Sequence, residues 1–158
     1  MASTITSANL TVTISESIMI NGIEQGNTNS VTIAGIKEVS RRIITVGTSG
    51  EAELVLLDGA DYTAPFNESD VMYIRITNLD DTNYMRLIFK DEGGQEFAVR
   101  LNAGQTFIYN GDKVGGSGVV NSMDAQATAL TWSPGDLVNI TAQAYTAACD
   151  VEVFVASE

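Results

Sequence analysis

Residues 70–110 read DVMYIRITNLDDTNYMRLIFKDEGGQEFAVRLNAGQTFIYN and decide the fold. Apolar and polar side chains alternate in two runs, first around Ile74 and Ile76 and then around Leu87 and Phe89. A period of two is typical of a strand with one buried face. The Asp and Asn residues between the runs favour a turn. We therefore predict that the two strands pair, with Ile76 opposite Leu87 and Ile74 opposite Phe89.

The same stretch continues into a hairpin and a fourth strand. Residues 92–94, Glu-Gly-Gly, suit a short hairpin loop because glycine can take the left-handed conformation that the loop needs. In that register Phe89 faces Phe97. A second turn at residues 102–105 leads into a strand at residues 106–109.

Residues 1–30 are predicted to form an N-terminal arm or hairpin. Leu10, Val12 and Ile14 alternate with polar residues, and Asn21-Gly22 is a strong turn signal. A polar loop separates this segment from the next strands. We therefore expect the segment to contribute to assembly more than to the domain core.

The whole chain, residues 1–158, is predicted to be one domain. About eight to ten short antiparallel strands with regular turns predict an all-β sandwich of jelly-roll-like form. Two segments depart from this pattern. The glycine-rich residues 111–121 favour a loop, and residues 125–132 fit a short helix or a strand equally well.

Composition limits the function. The net charge of −12 disfavours nucleic acid and anionic membranes as partners. The chain has no histidine and a single cysteine, Cys149, which we expect to be a small buried apolar residue. No nucleophile, phosphate or dinucleotide motif is present, so we predict neither enzymatic activity nor a cofactor.

Two features allow a functional and a structural interpretation. Asn78, Asp80, Asp81 and Asn83 could offer oxygen ligands to calcium, but their spacing does not match an EF-hand loop and favours a plain turn. Trp132 is the only tryptophan. It is either a plug in the core or an exposed platform for a sugar or a protein.

Arg75, Arg86 and Arg100 are the candidate interface residues. Their positions in three successive strands predict one basic face on an acidic protein, with Arg86 directly opposite Arg100. Such a face could bind a carboxylate-rich neighbour, since arginine binds carboxylates with two parallel hydrogen bonds. Alternatively, acids of the same chain such as Glu96 neutralise it.

Several phrases resemble the small structural proteins of tailed bacteriophages, especially phages of marine and cyanobacterial hosts. They are YIRITNLD at 73–80, VRLNAGQTF at 99–107, ITAQAYTA at 140–147 and DVEVF at 150–154. Residues 1–60 match nothing specific.

The resemblance implies a virion component made in the cytoplasm of a bacterial host. A capsid decoration (cement) protein is the first expectation, and a neck, tail or fibre subunit is the alternative. The implied partners are capsid or other virion proteins and further copies of the chain, with a trimer as one option. A carbohydrate- or receptor-binding sandwich is the second reading. A cement protein needs a flat or arm-like interface, whereas a sugar binder needs a concave site with aromatics and amides.

Overall fold

The computed structural model describes residues 5–57, 64–67, 69–91, 93–110 and 137–158. Within these ranges the chain forms twelve strands and no helix. The strands are β1 (Ala8–Ser15), β2 (Met19–Ile20), β3 (Ile23–Glu24), β4 (Thr28–Ile36), β5 (Glu38–Val46), β6 (Ala52–Leu56), β7 (Val71–Asn78), β8 (Met85–Asp91), β9 (Glu96–Leu101), β10 (Thr106–Asn110), β11 (Leu137–Ala144) and β12 (Cys149–Ser157).

Eight of these strands form two facing antiparallel sheets. Sheet 1 has the order β10–β7–β12–β5, and sheet 2 has the order β6–β11–β8–β9. From β5 onward this is the strand order of an eight-stranded jelly roll, in which most connections cross from one sheet to the other. The predicted all-β sandwich is therefore confirmed, and the other four strands belong to the N-terminal segment.

One apolar core fills the space between the sheets. Ile74 and Ile76 reach it from β7, and Leu87 and Phe89 reach it from β8. The period-two alternation thus assigned these four residues to the buried face. Cys149 lies in the same core, as predicted, and burial raises the pKa of its thiol.

The predicted pairing of the first two central strands is wrong. β7 belongs to sheet 1 and β8 to sheet 2, so Ile76 and Leu87 face each other across the core instead of along a ladder. Residues 79–84 bridge the gap between the sheets, which is about 10 Å in a sandwich. Alternation fixes the face of a strand but carries no information about its hydrogen-bonded neighbour.

The predicted hairpin after Phe89 is confirmed. β8 pairs with β9, Phe89 lies opposite Phe97, and Gly94 takes a left-handed φ of 77°. The turn at residues 102–105 also forms, with Gly104 at a φ of 70°. The turn carries the chain from sheet 2 to sheet 1, where β10 pairs with β7.

Asn78 joins two of the crossings between the sheets. Its buried side chain donates to the carbonyls of Asn83 (2.9 Å) and Leu101 (3.3 Å), and its Oδ1 accepts from the Asp80 amide (3.0 Å). The Asp80 carboxylate in turn accepts from the amides of Asn83 and Thr82, which lowers its pKa. These residues therefore form the turn that the sequence predicted.

The N-terminal segment contains an antiparallel hairpin, here called the arm (residues 8–36). β1 pairs antiparallel with β4, and the short strands β2 and β3 form a second hairpin at its tip. Asn21 and Gly22 both have positive φ, at 51° and 79°. Two positive φ values in succession are the geometry of a type I′ turn, which the Asn-Gly pair predicted.

The base of the arm packs on the outer face of sheet 1. Val12, Ile33 and Ile36 form a second buried cluster with Tyr73 of β7 and Ala156 of β12. The arm is therefore attached to the sandwich through apolar contacts as well as through the chain.

Some predictions fall outside the described residues. These are the loop at 111–121, the ambiguous segment 125–132 with Trp132, and Glu92 of the hairpin loop.

Candidate functional site

The described residues hold no cluster of side chains suited to bind a metal ion. In that part of the chain no three His, Cys, Asp or Glu side chains lie together as a metal site would require. It also contains no helix long and apolar enough to cross a membrane. The predicted interface arginines are the first candidate site.

The structure separates the three predicted interface arginines. Arg75 lies on the outer face of sheet 1, whereas Arg86 and Arg100 lie on the outer face of sheet 2. The predicted single basic face is therefore wrong. The error follows from the mistaken pairing, because β7 and β8 were placed side by side although they lie in opposite sheets.

Arg75 is neutralised within its own chain. Glu152, on the adjacent strand β12, accepts a charge-assisted hydrogen bond from Arg75 through Oε1 and two from Arg41, whose Nε (2.7 Å) and Nη2 (2.5 Å) both donate to Oε2. The two guanidinium groups lower the pKa of the nearly buried Glu152 carboxyl. Arg75 Nη1 also donates to Thr77 Oγ1 at 2.9 Å, so this group is committed to the fold.

Arg86 and Arg100 lie side by side with neutral partners. They are opposite each other in the β8–β9 register, as predicted. Arg86 donates to Gln143 Oε1, and Arg100 Nε donates to Asn102 Oδ1 at 2.8 Å. Glu96, the acid expected to neutralise them, instead pairs with Lys90 (3.2 Å).

A concave site adjoins Arg86 at one end of sheet 2. The depression has a volume of about 340 Å³, and we call it the tyrosine depression. Its lining residues come from β8, from β11 and from the loops beside them: Thr48, Tyr84, Arg86, Gln143, Ala144 and Tyr145. The rings of Tyr84 and Tyr145 stack with centroids 5.1 Å apart and planes 17° apart. Aromatic rings, an amide and a cation thus converge on one concavity.

The sequence interpretation missed this site. Tyr84 and Tyr145 are 61 positions apart, and each lies beside the end of a strand whose partner could not be assigned from alternation. The pairing of Gln143 with Arg86 brings them together. The site could have been predicted only if the pairing of β11 with β8 had been known.

The arm is the second candidate surface. One face of its β1–β4 ribbon is apolar, and the base of that face packs on sheet 1 through Val12 and Ile33. The same face continues outward through Ile14 and Val31, which are exposed. Beyond them, the tip exposes four more large apolar side chains, those of Ile18, Met19, Ile20 and Ile23.

The tip has an ordered hydrogen-bond pattern despite its exposure. The Glu24 carboxylate accepts from the amides of Ile18 (2.9 Å) and Gly26 (2.7 Å), which lowers its pKa. The amide of Glu16 donates to the carbonyl of Asn27 at 2.7 Å. The apolar side chains are thus held outward on a defined backbone.

No protein-family model matches the chain, and no curated protein matches it significantly. Function must therefore be inferred from these surfaces.

Proposed function

We propose that this chain is a non-enzymatic structural protein of a virion, and that it decorates the capsid as a cement protein. The observation that carries the proposal is the arm, whose apolar face extends beyond the sandwich that it packs on. The resemblance of the strand phrases to tailed-phage structural proteins supplies the virion context.

The arm has the composition of a binding element. Scattered exposed apolar residues are ordinary, but contiguous ones at a surface mark interaction sites. Here Ile14 and Val31 continue the packed face, and the four tip residues follow them along the chain. Covering these side chains with a neighbour would remove apolar surface from water, which favours association.

The backbone of the arm offers a second kind of contact. Among the described strands, β1 and β4 pair only with each other, so each has an outer edge. A free edge can accept a strand from another chain by β-augmentation. An amphipathic ribbon with free edges suits a subunit that joins its neighbours, and we extend the proposal to a homo-oligomer, for which a trimer is one arrangement.

Particle composition tests the virion role. Mass spectrometry of purified virions with copy counting should find hundreds of copies in each particle if the protein decorates the head. A dozen or fewer copies would place it in the neck, tail or fibres, which is the alternative. Absence from purified particles would overturn the proposal.

Substitution of the arm tip tests the interface. The triple variant I18T/I20T/I23T keeps a β-branched side chain at each position while removing apolar surface from exposed sites, so we expect the monomer to fold normally. It should lose self-association in sedimentation velocity and cosedimentation with capsids. The control V39T/I43T/L79T changes three exposed apolar residues of the sandwich and should retain both. If the two variants behave alike, the arm is not the interface.

A further inference from the structure

The tyrosine depression lies on the side of the molecule away from the arm. The arm packs on the outer face of sheet 1, whereas Arg86 and Gln143 lie on the outer face of sheet 2. The two surfaces therefore lie on opposite faces of the sandwich. A subunit attached through its arm side would leave the depression facing outward.

The depression contains a prepared aromatic platform. Tyr145 is 73% exposed, yet its ring is stacked on Tyr84 and its amide donates to the Tyr84 carbonyl at 3.3 Å. The Arg100 guanidinium lies over the same Tyr84 ring, 3.7 Å from its centroid. Tyrosine held in this way offers a large amphipathic contact area at a low conformational-entropy cost.

The polar side of the depression is also fixed. Gln143 accepts from Arg86 and donates from Nε2 to the Thr48 carbonyl at 2.9 Å, so its amide orientation is set by two partners. A guanidinium has five N–H donors in a planar fork. Arg86 makes one side-chain hydrogen bond in the described part of the chain, which leaves donors for a ligand in the depression.

The charges around the tyrosine depression favour binding of an anion. Arg41, Arg75 and Lys90 each form a salt bridge with a carboxylate, but within the described ranges Arg86 and Arg100 form none. Two like charges directly opposite each other on neighbouring strands destabilise a sheet. Other cations of the described ranges, such as Arg42, also lack a salt bridge, so what distinguishes Arg86 and Arg100 is that they lie directly opposite each other. A bound carboxylate would relieve their repulsion.

We propose that the tyrosine depression binds an acidic saccharide. The sugar ring packs its C–H face on Tyr145, the sugar carboxylate accepts hydrogen bonds from Arg86, and Gln143 and the neighbouring backbone orient the ring. The volume of about 340 Å³ is at the lower end of the roughly 300–1,000 Å³ of small-molecule sites, which fits one or two sugar units. The alternative ligand is an acidic protein surface. It would contact only the arginine pair, so it would make no use of the concavity or of the exposed Tyr145 ring.

Titration calorimetry with three matched probes tests the proposal. Oligogalacturonate carries both the sugar ring and the carboxylate, its methyl ester keeps the ring without the charge, and poly-glutamate keeps the charge without the ring. The full-length protein should bind oligogalacturonate about tenfold or more tightly than either of the others, since hydrogen bonds to a charged group contribute about 1.5–3 kcal/mol.

Variants assign the contacts. Y145A and R86Q should each weaken oligogalacturonate binding by about tenfold or more, and Y145F should restore it because the ring is retained. R41Q removes the same charge from sheet 1 and should bind as wild type does. Circular dichroism melts establish that each variant is folded.

Three results would overturn the proposal. The first is that oligogalacturonate and its methyl ester bind with equal affinity. The second is that poly-glutamate binds as tightly as oligogalacturonate and that Y145A leaves oligogalacturonate binding unchanged. The third is that none of the three probes binds. The second result would instead identify the arginine pair as a contact for an acidic protein. None of these results bears on the arm, so the assembly proposal stands or fails separately.

Discussion

The two outer faces of the sandwich differ in how far the chain itself completes them. On sheet 1 the arm covers Tyr73 and Ala156, and Glu152 neutralises the arginines on either side of it. On sheet 2 Tyr145 is open to solvent, and Arg86 and Arg100 form hydrogen bonds only with neutral partners in the described residues, while Glu51 acts on Arg86 from beyond salt-bridge distance. A face that is satisfied internally stabilises the fold. A face left unsatisfied is where an external partner gains most from binding.

Two tyrosines give the largest expected contrast. Tyr73 is 5% exposed beneath the arm and meets Phe154 edge to face, with centroids 5.8 Å apart. Y73A should therefore lower the free energy of unfolding by about 3 kcal/mol, as loss of a large buried aromatic does. Y145A removes a stacked but exposed ring, so its free energy of unfolding should fall by less than about 1 kcal/mol.

Urea denaturation of both variants measures this contrast. Comparable slopes with denaturant would show that the midpoints report stability alone. Equal losses would mean that the arm adds nothing to the burial of Tyr73, and the contrast between the faces would disappear.

The pH dependence of stability provides an intermediate effect. The pKa of Glu152 is lowered, chiefly by its hydrogen bonds with Arg41 and Arg75. A carboxyl whose folded pKa lies below its unfolded value stabilises the fold above the unfolded value, here about 4.5, and that contribution is lost as the pH falls through the folded pKa. E152Q lacks this titration.

Thermal melts of wild type and E152Q across the acid pH range test the ion triad, which is Glu152 with Arg41 and Arg75. At neutral pH, E152Q should be about 1–3 kcal/mol less stable, because it weakens three charge-assisted hydrogen bonds at a nearly buried position. The difference should shrink as the pH falls below about 4.5. A difference that is constant across the range would show that the triad contributes packing alone. R86Q, which removes a charge from sheet 2, should show no comparable loss at neutral pH.

Alternation in the sequence predicted the buried faces well. Ile74, Ile76, Leu87 and Phe89 are all in the core, because burial requires a period of two whatever the partner strand is. The local turn chemistry of Asn21-Gly22 was equally reliable. Both features depend on neighbours in the chain.

Strand partnership could not be predicted in the same way. A jelly roll pairs strands that are distant in sequence, such as β12 with both β5 and β7. The candidate sites depend on those distant pairings. Glu152 lies between Arg41 and Arg75 because β12 pairs with both β5 and β7. Tyr145 lies beside Tyr84 because β11 pairs with β8. Period-two patterns assigned Arg75 to the correct type of surface but to the wrong sheet.

The smallest expected effect concerns the pair Arg86 and Arg100. Directly opposed like charges cost about 0.2–1 kcal/mol, and replacing either residue relieves that repulsion. R86Q keeps the contact of Arg100 with Tyr84, so it should leave stability unchanged or raise it by about 0.5 kcal/mol. R100Q also loses a cation–π contact worth about 0.5–1 kcal/mol at an exposed site, so it should be neutral or slightly destabilising.

A double-mutant cycle with R86Q, R100Q and the combined variant isolates the coupling between the two charges. The coupling should be unfavourable to folding at low salt and should fade as added salt screens it, since both groups lie near solvent. If the acidic-saccharide proposal holds, oligogalacturonate should stabilise wild type more than either single variant, because the ligand's carboxylate offsets the repulsion. A coupling that favours folding would mean that the two arginines already share an anion-like partner within the chain, and the case for an unsatisfied face on sheet 2 would then fail.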